Sequence, residues 1–489
     1  MLLQIIFILF SIYLWFQYKF LYWKKLGFSH VPGKIPVGSG SDVGSKEHLC
    51  DFLKREYDKF KNISPAFGVY FMTKPVLVPT DPELIRDIFV RNFETFHERG
   101  LSFCEKADPL SQHLFFKNGQ EWKDLRGKLT QVFTSGRMKM MFPNVLEKSD
   151  NMINYLKSCA EINDALEMKE VFSSFTTEVI ADVAFGFLTE CIDNPNNEFR
   201  RMGNAVFEPT AMEHIKLFFI MSYGRLASFL GIGLNRKATI KFFMGIVQDV
   251  LKFREDNQVH RNDFLQLLIN MKNSENETMT FNEIAAASFG FFLAGYETSS
   301  STMTFCAYEL ALNQNIQEKI RLEISQVLLK YNGKVTYEAI MEMKYLDMVF
   351  NETLRKYPVI DVQRRKSVKD FKIPNTNLVI PAETIIMIPV YALQNDERFW
   401  ENPDKFDPER FTQEEIAKRH PFCYIPFSEG PRQCIGMRFG QMQTKIGIVK
   451  LLMNFKIQPC EKTTIPMKFV PNAVFQTPIG GMWLKIEKL

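Results

Sequence analysis

One cysteine constrains this chain more than any other residue. Cys434 closes a stretch that reads Phe427, Ser428, Glu429, Gly430, Pro431, Arg432, Gln433, Cys434, Ile435, Gly436. Neither a second cysteine nor a histidine follows within a few residues, and that spacing argues against a zinc site, which needs closely paired ligands. Beyond it, residues 437–455 carry apolar side chains at Phe439, Met442, Ile446, Val449 and Met453, the spacing of a helix. The cysteine therefore precedes a helix N-terminus, where unpaired N–H groups and the helix dipole favour thiolate over thiol. Gly430 and Gly436 let the backbone turn tightly and let a flat cofactor approach without a Cβ in the way. Arg432 offers a cation to an anionic cofactor edge. Cys434 is thus a candidate axial ligand to iron.

Taken in order, these residues form the pattern Phe-x-x-Gly-x-Arg-x-Cys-x-Gly, and the chain closely resembles the cytochrome P-450 family of haem-thiolate monooxygenases. The resemblance implies haem b (iron protoporphyrin IX) with Cys434 as its metal ligand, and Phe427, Arg432 and Gly436 in the cofactor-binding loop. It implies a mainly helical fold with small β-sheets and a long central helix over the haem.

Residues 2–17 are almost wholly apolar, and with residues 18–23 they reach the roughly 20 residues that a bilayer-spanning helix needs. Lys24 and Lys25 follow, so the positive-inside rule directs the body of the protein to the cytosol. A basic n-region and a small-residue cleavage site, the marks of a signal peptide, are both missing. Pro32 and Pro36 stiffen the exit. The expected organisation is an anchor at 1–23, a basic, proline-containing hinge at 24–38 and a catalytic domain at 39–489. The resemblance places the anchor in the endoplasmic reticulum. The 489 residues carry a net charge of +4, too little to point to nucleic acid, and eight scattered cysteines suit a reducing compartment. The 46 phenylalanines suit a large apolar core and an aromatic-lined pocket.

Helical periodicity is expected over about 119–135, 144–160, 166–187, 235–256, 281–312, 315–330 and 343–356. A hairpin is expected at 68–78, and strand-like pieces at 378–380, 384–388 and 474–475. The 281–312 helix contains Ala294, Gly295, Tyr296, Glu297 and Thr298. A mid-helix glycine costs about 1 kcal/mol against alanine, and close approach of a planar cofactor to Gly295 is one reason for it. The segment matches the family's oxygen-activation signature, which implies that Glu297 and Thr298 pass protons toward the oxygen site. Glu352 and Arg355 stand at i, i+3 on one helix face. They match the family's Glu-x-x-Arg motif, and Arg410 supplies the second arginine of a buried structural network. Trp122 and Arg126, at i, i+4, match a pattern that holds a haem propionate. Arg365 falls where the family carries another propionate ligand, with Arg364 beside it leaving that assignment open by one position. Asp361 either meets a basic substrate nitrogen or pairs with Arg364 or Arg365.

The substrate pocket is expected among Phe103, Leu110, Phe115, Phe116, Phe207, Phe291, Ala294, Val359 and Phe475, and it implies a lipophilic substrate. The resemblance implies insertion of one atom of O2 into a xenobiotic or an endogenous lipid or hormone. Electrons would come from NADPH through a separate cytochrome P-450 reductase, with cytochrome b5 as a further donor, since the chain has no dinucleotide fingerprint. Lys123, Lys128, Arg438 and Lys445 are the candidate docking cations. The wording at 294–300 and 407–411 resembles insect xenobiotic-clearing members. A same-fold hydroperoxide isomerase and a non-catalytic haem- or lipophile-binding protein remain as alternatives.

Overall fold

A 32-residue helix, Phe281–Leu312, runs through the protein, and its sequence explains both its start and its burial. Thr280 and Glu283 form a reciprocal capping box: the Glu283 N–H donates to Thr280 Oγ1 at 3.2 Å, and the Thr280 N–H donates to Glu283 Oε2 at 2.8 Å. Past that cap the segment is apolar or small on every side, which is the composition of a helix buried all round. At about 1.5 Å per residue it reaches about 48 Å, enough to cross a domain.

The computed structural model describes residues 1–101, 104–162, 164–194, 196–272 and 279–489. Helices α1 (Leu2–Phe20) and α2 (Leu49–Phe60) precede the hairpin β1 (Ala66–Phe71) and β2 (Lys74–Pro79). There follow α3 (Gly119–Thr130), α4 (Ser135–Ile162), β3 (Leu166–Glu167), α5 (Met168–Ile180), α6 (Glu198–Phe207), α7 (Ala211–Phe229) and α8 (Lys237–Asp256). The central helix is α9, and α10 (Gln314–Lys330) and α11 (Lys344–Lys356) come after it. Strands β4 (Gln363–Lys366), β5 (Phe371–Lys372), β6 (Val379–Ile380) and β7 (Ile385–Ile388) lead to α12 (Met437–Asn454), β8 (Phe455–Pro459) and β9 (Trp483–Lys488).

The fold is mainly helical with small sheets, as expected. Most helical bounds fall within a few residues of those read from periodicity, but α4 starts at Ser135, well before the expected 144, α5 ends at Ile180, short of the expected 187, and α6 and α7 are additional. The strand expected at 474–475 is absent: Val474 and Phe475 lie in an irregular loop. The C-terminal β-structure is instead the antiparallel pair β8–β9, with β3 added at its edge. The main sheet has the order β1-β2-β7-β4, with β2 parallel to β7 and Arg365 of β4 opposite Ile386. One apolar core surrounds α9, which packs against α5, α11 and α12. A second core lies under the main sheet.

Helix α1, at 19 residues and mean hydropathy 1.5, is long and apolar enough to cross a membrane, and almost none of it is buried. Its C-terminal end behaves otherwise. Trp23 has no exposed surface; its backbone N–H donates to Tyr70 Oη at 3.1 Å and its indole N–H to the Val69 carbonyl at 3.2 Å. A Cβ on Gly68 would stand 2.3 Å from that indole, so glycine makes the seat. The sequence ends the anchor at residue 23, whereas Phe20 and Trp23 belong to the sheet core. A chain that starts at residue 20 should therefore unfold in urea at the same midpoint as the full protein. Trp23→Ala should lose about 3–5 kcal/mol, the usual cost of deleting a buried tryptophan. An unchanged midpoint for Trp23→Ala would return the segment to the anchor.

Candidate active site

The backbone before α12 is shaped by two residues of positive φ, Ser428 at 61° and Gly430 at 71°. Glycine is obligatory at 430, because a Cβ there would stand 2.1 Å from the Phe89 carbonyl oxygen. A short 3-10 turn, Gly430–Arg432, follows, and the Cys434 N–H then donates to the Phe427 carbonyl at 2.8 Å. The loop is thus closed across its base, with the Phe427 ring stacked on Phe350 of α11. Cys434 exposes surface although protein surrounds it. Burial pushes its thiol up, and the Gly436 N–H, Arg126 and Arg99 oppose that shift. A Cβ on Gly436 would meet only Phe133, at an ordinary 3.8 Å. Its amide aimed at the sulfur, more than its missing side chain, distinguishes this position.

Four guanidinium groups gather beside Cys434. Arg126 Nη1 donates to the Gln433 carbonyl at 2.8 Å, Arg432 Nη2 to the Lys117 carbonyl at 2.9 Å, and Arg365 Nη2 to Ser428 Oγ at 3.0 Å. Arg99, for which the sequence offered no motif, stacks on Phe115 at 3.8 Å. Burial, then Arg365 and Arg432, hold Arg99 well below its ordinary value. Burial lowers Arg365 to about 9 and Arg432 to about 10. Among the described residues no carboxylate pairs with any of the four, and Arg365 Nε and Arg432 Nε and Nη1 are buried without a hydrogen-bond partner. Unspent buried donors on crowded cations fit a ligand carrying more than one carboxylate. With a thiol at their centre, the set fits iron protoporphyrin IX and its two propionates. Arg364 points to the opposite strand face, toward the Gly100 and Met221 carbonyls, so Arg365 is the one placed for this work. Trp122 contributes its ring, with Arg432 lying 4.3 Å over it.

On α9, Gly290, Ala294 and Thr298 share one face, and Ala294 is exposed within a helix otherwise buried along most of its length. The Thr298 hydroxyl donates to the Ala294 carbonyl, a back-bond along the helix. Gly295 corrects the sequence reading: a Cβ there would stand 2.5 Å from Ile180 Cδ1, so its role is close packing against α5. Glu297 is also turned differently. It is buried, it takes Lys169 Nζ at 2.7 Å on Oε1, and Ser301 Oγ donates to the same oxygen at 3.2 Å. The expected acid and alcohol are neighbours in sequence on different faces of α9.

Behind the cysteine loop, Glu352 and Arg355 have no exposed surface. Arg355 Nε and Nη2 donate to the two carboxylate oxygens at 2.8 and 2.9 Å, and further N–H groups reach the Gln394 and Pro403 carbonyls. The Asp407 N–H donates to Glu352 Oε1 at 2.9 Å, and Arg410 Nε stands 3.4 Å from the same oxygen. Burial raises the Glu352 carboxyl, with Arg355 and Arg410 opposing.

The expected pocket residues divide. Phe207 packs on Phe475 and Tyr296, and Val359 joins Phe427 and Phe475. Phe115 and Phe116 meet edge to face beside Arg99. Phe291 instead sits among Phe133, Phe264 and Phe439, and Leu110 is fully buried, so both are core. Phe103 lies outside the described residues. Asp361 pairs with neither arginine; its carboxylate faces His48, 3.4 Å away. His113 was not anticipated. Its buried ring packs on Phe116 with Nε2 unpartnered, and burial, then Arg99, lower it to about 3. Lys445 is buried against Asp347, which removes it from the expected docking cations.

Known proteins resemble this chain along most of its length. A family model described as Cytochrome P450 matches residues 34–484. The chain is 41% identical to "Probable cytochrome P450 6a13" of Drosophila melanogaster, covering 98% of this chain and 97% of that one. It is 39% identical to "Cytochrome P450 6a2" of the same organism, with 96% of each covered. It is 37% identical to "Cytochrome P450 6A1" of Musca domestica, covering 99% and 97%.

Removing Glu352 leaves Arg355 charged where water cannot reach it. Glu352→Ala should therefore cost about 3–5 kcal/mol and lower the melting temperature and the haem recovered per chain together. Melting and haem content equal to those of the parent would mean that the pair does not support the cysteine loop.

Proposed function

This chain belongs to the cytochrome P450 family of haem monooxygenases, and we propose that it oxidises lipophilic small molecules, xenobiotics among them, at the endoplasmic reticulum membrane. Its electrons come from NADPH through a separate reductase. Helix α1 anchors it, with the catalytic domain in the cytosol. The observation that carries this reading is the gathering beside Cys434 of four guanidinium groups, none of them paired with a carboxylate among the described residues.

Bound haem supplies the activation of O2, so that one oxygen atom enters a substrate C–H bond and the other leaves as water. The chain's residues do the rest. Cys434 would supply the thiolate ligand to the iron, and Arg99, Arg126, Arg365 and Arg432, with Trp122, would hold the propionates. Their positive charge also favours the thiolate. Val359, Phe207, Phe475 and Ala294 offer a lipophilic molecule apolar walls and exclude water around it. Thr298 is the hydroxyl on the open face: its back-bond to Ala294 fixes its oxygen, and exchange of that bond lets it pass a proton. Glu297 is ion-paired with Lys169 on another face of α9 and has a packing role there. Lys123 and Arg438, both exposed beside the cysteine, are proposed docking cations, with Lys128 next to them.

The test is turnover of a panel of lipophiles by the haem-loaded protein with reductase and NADPH. Oxygenated product from at least one class is expected, and NADPH consumption without any product across the panel would contradict the reading. Thr298→Ala separates the proton role from packing. Haem content and substrate binding should stay at parent levels, while product per NADPH consumed falls by about tenfold or more and hydrogen peroxide rises to match. Unchanged coupling would reduce Thr298 to a helix back-bond.

A further inference from the structure

Away from the haem site, three buried metal-ligating side chains face one another. His48 and Cys50 come from the start of α2, and Asp361 comes from the segment between α11 and β4. They are 3%, 1% and 7% exposed. His48 Nδ1 lies 3.1 Å from Cys50 Sγ and 3.4 Å from Asp361 Oδ2, and one donor atom from each residue falls within 4.8 Å of the other two. Ligands at about 2.0–2.3 Å around a tetrahedral zinc stand about 3.3–3.8 Å apart, so little movement closes the set.

The hydrogen bonds set the histidine's tautomer. Nε2 lies 3.2 Å from the Ala473 carbonyl, which can only accept, so Nε2 carries the proton. Nδ1 is then a lone pair, and the Cys50 N–H reaches it at a long 3.3 Å. A ring N–H given to a backbone carbonyl, with the other nitrogen turned to ligating groups, is how metal-binding histidines are held. The lone pair of Nδ1 faces the sulfur and a carboxylate oxygen. That oxygen, Asp361 Oδ2, is buried without a hydrogen-bond partner, and among the described residues no lysine or arginine pairs with it. A fourth group stands ready: Gln476 is 2% exposed, its Nε2 lies 3.4 Å from Cys50 Sγ, and its Oε1 is also buried without a partner. Rotating the amide exchanges Nε2 for Oε1 at this place.

We propose that His48, Cys50 and Asp361, completed by Gln476, form a structural zinc site. One nitrogen, one sulfur and oxygen donors suit a borderline divalent ion, and a closed four-ligand set leaves no position for catalysis. Its effect is mechanical. Asp361 is two residues from Val359 and Gln476 adjoins Phe475, so one ion ties two walls of the substrate pocket to α2. Zinc is taken from the medium as the free ion, and its binding releases the protons held by the thiol and the carboxyl.

Haem-loaded full-length protein, equilibrated with micromolar zinc chloride and dialysed, is assayed for zinc per chain and by zinc-edge X-ray absorption. One zinc is expected, with one sulfur at about 2.3 Å and the remaining ligands nitrogen or oxygen. Cys50→Ser and Asp361→Asn should each weaken zinc binding by at least tenfold and leave haem content unchanged. Wild-type protein without zinc, or zinc without a sulfur neighbour, would overturn the site and leave a protonated thiol–imidazole–carboxyl cluster in its place. So would equal zinc affinity in folded Cys50→Ser. Should both variants fail to fold, the sulfur neighbour in the wild type decides, because haem occupies Cys434 there. None of these readouts depends on turnover, so failure leaves the monooxygenase reading intact.

Discussion

Glu352 and Arg355 carry opposite charges with no exposed surface, and the cysteine side of the molecule is arranged around keeping them together. Two parallel N–H···O bonds join them, and the remaining donors and acceptors are met by the Gln394 and Pro403 carbonyls and the Asp407 N–H. Desolvating both ions is costly, and the pair is tolerated because both carboxylate oxygens and all three guanidinium nitrogens have hydrogen-bond partners. Gln394, which accepts from the Ile425 N–H through Oε1, carries that order to the strand of backbone entering the cysteine loop. Helix α11 also bears Phe350, on which Phe427 stacks, and Phe427 in turn accepts the Cys434 N–H. The thiol's position is the end of this chain of contacts.

Charge balance on the other side of Cys434 is handled in the opposite way. There four guanidinium groups are brought together, none paired with a carboxylate among the described residues, and with several N–H groups unspent. An interior can hold such an arrangement when a multiply charged anion belongs among the cations, and it is the electrostatic counterpart of a thiolate facing iron. One buried cluster is satisfied within the protein and the other is completed by a ligand. Together they separate what holds the fold from what holds the cofactor.

Much of this was legible in the sequence because the decisive signals are local. The bounds of α9 follow from a long, mostly apolar helical pattern, and the cysteine loop follows from ten consecutive residues. What was not legible depends on partners far along the chain. Arg99 carries no motif, and it lies near Arg365 and Arg432, hundreds of residues away in sequence, only through the fold. Gly295 fits either a cofactor or a packing role by sequence, and Ile180, 115 positions earlier, decides it. By sequence Asp361 fits a basic substrate nitrogen or either neighbouring arginine, and the carboxylate instead faces His48, from the other end of the chain. Trp23 reads as the aromatic end of an anchor, and only Gly68 on β1 makes it core. Helix α7 escaped because apolar residues fall on all its sides and blur the period, and α6 because it spans only 10 residues with Gly203 inside it.

The central claim is that Cys434, placed by this machinery, is the iron ligand. The most direct measurement is the absorption spectrum of the reduced, CO-treated protein for the parent and for Cys434→His, with haem content determined in parallel. The account predicts the long-wavelength Soret band of a thiolate-ligated haem in the parent and its loss in the variant. A Cys434→His protein that retains haem and keeps that band would assign the thiolate to another cysteine and contradict the account.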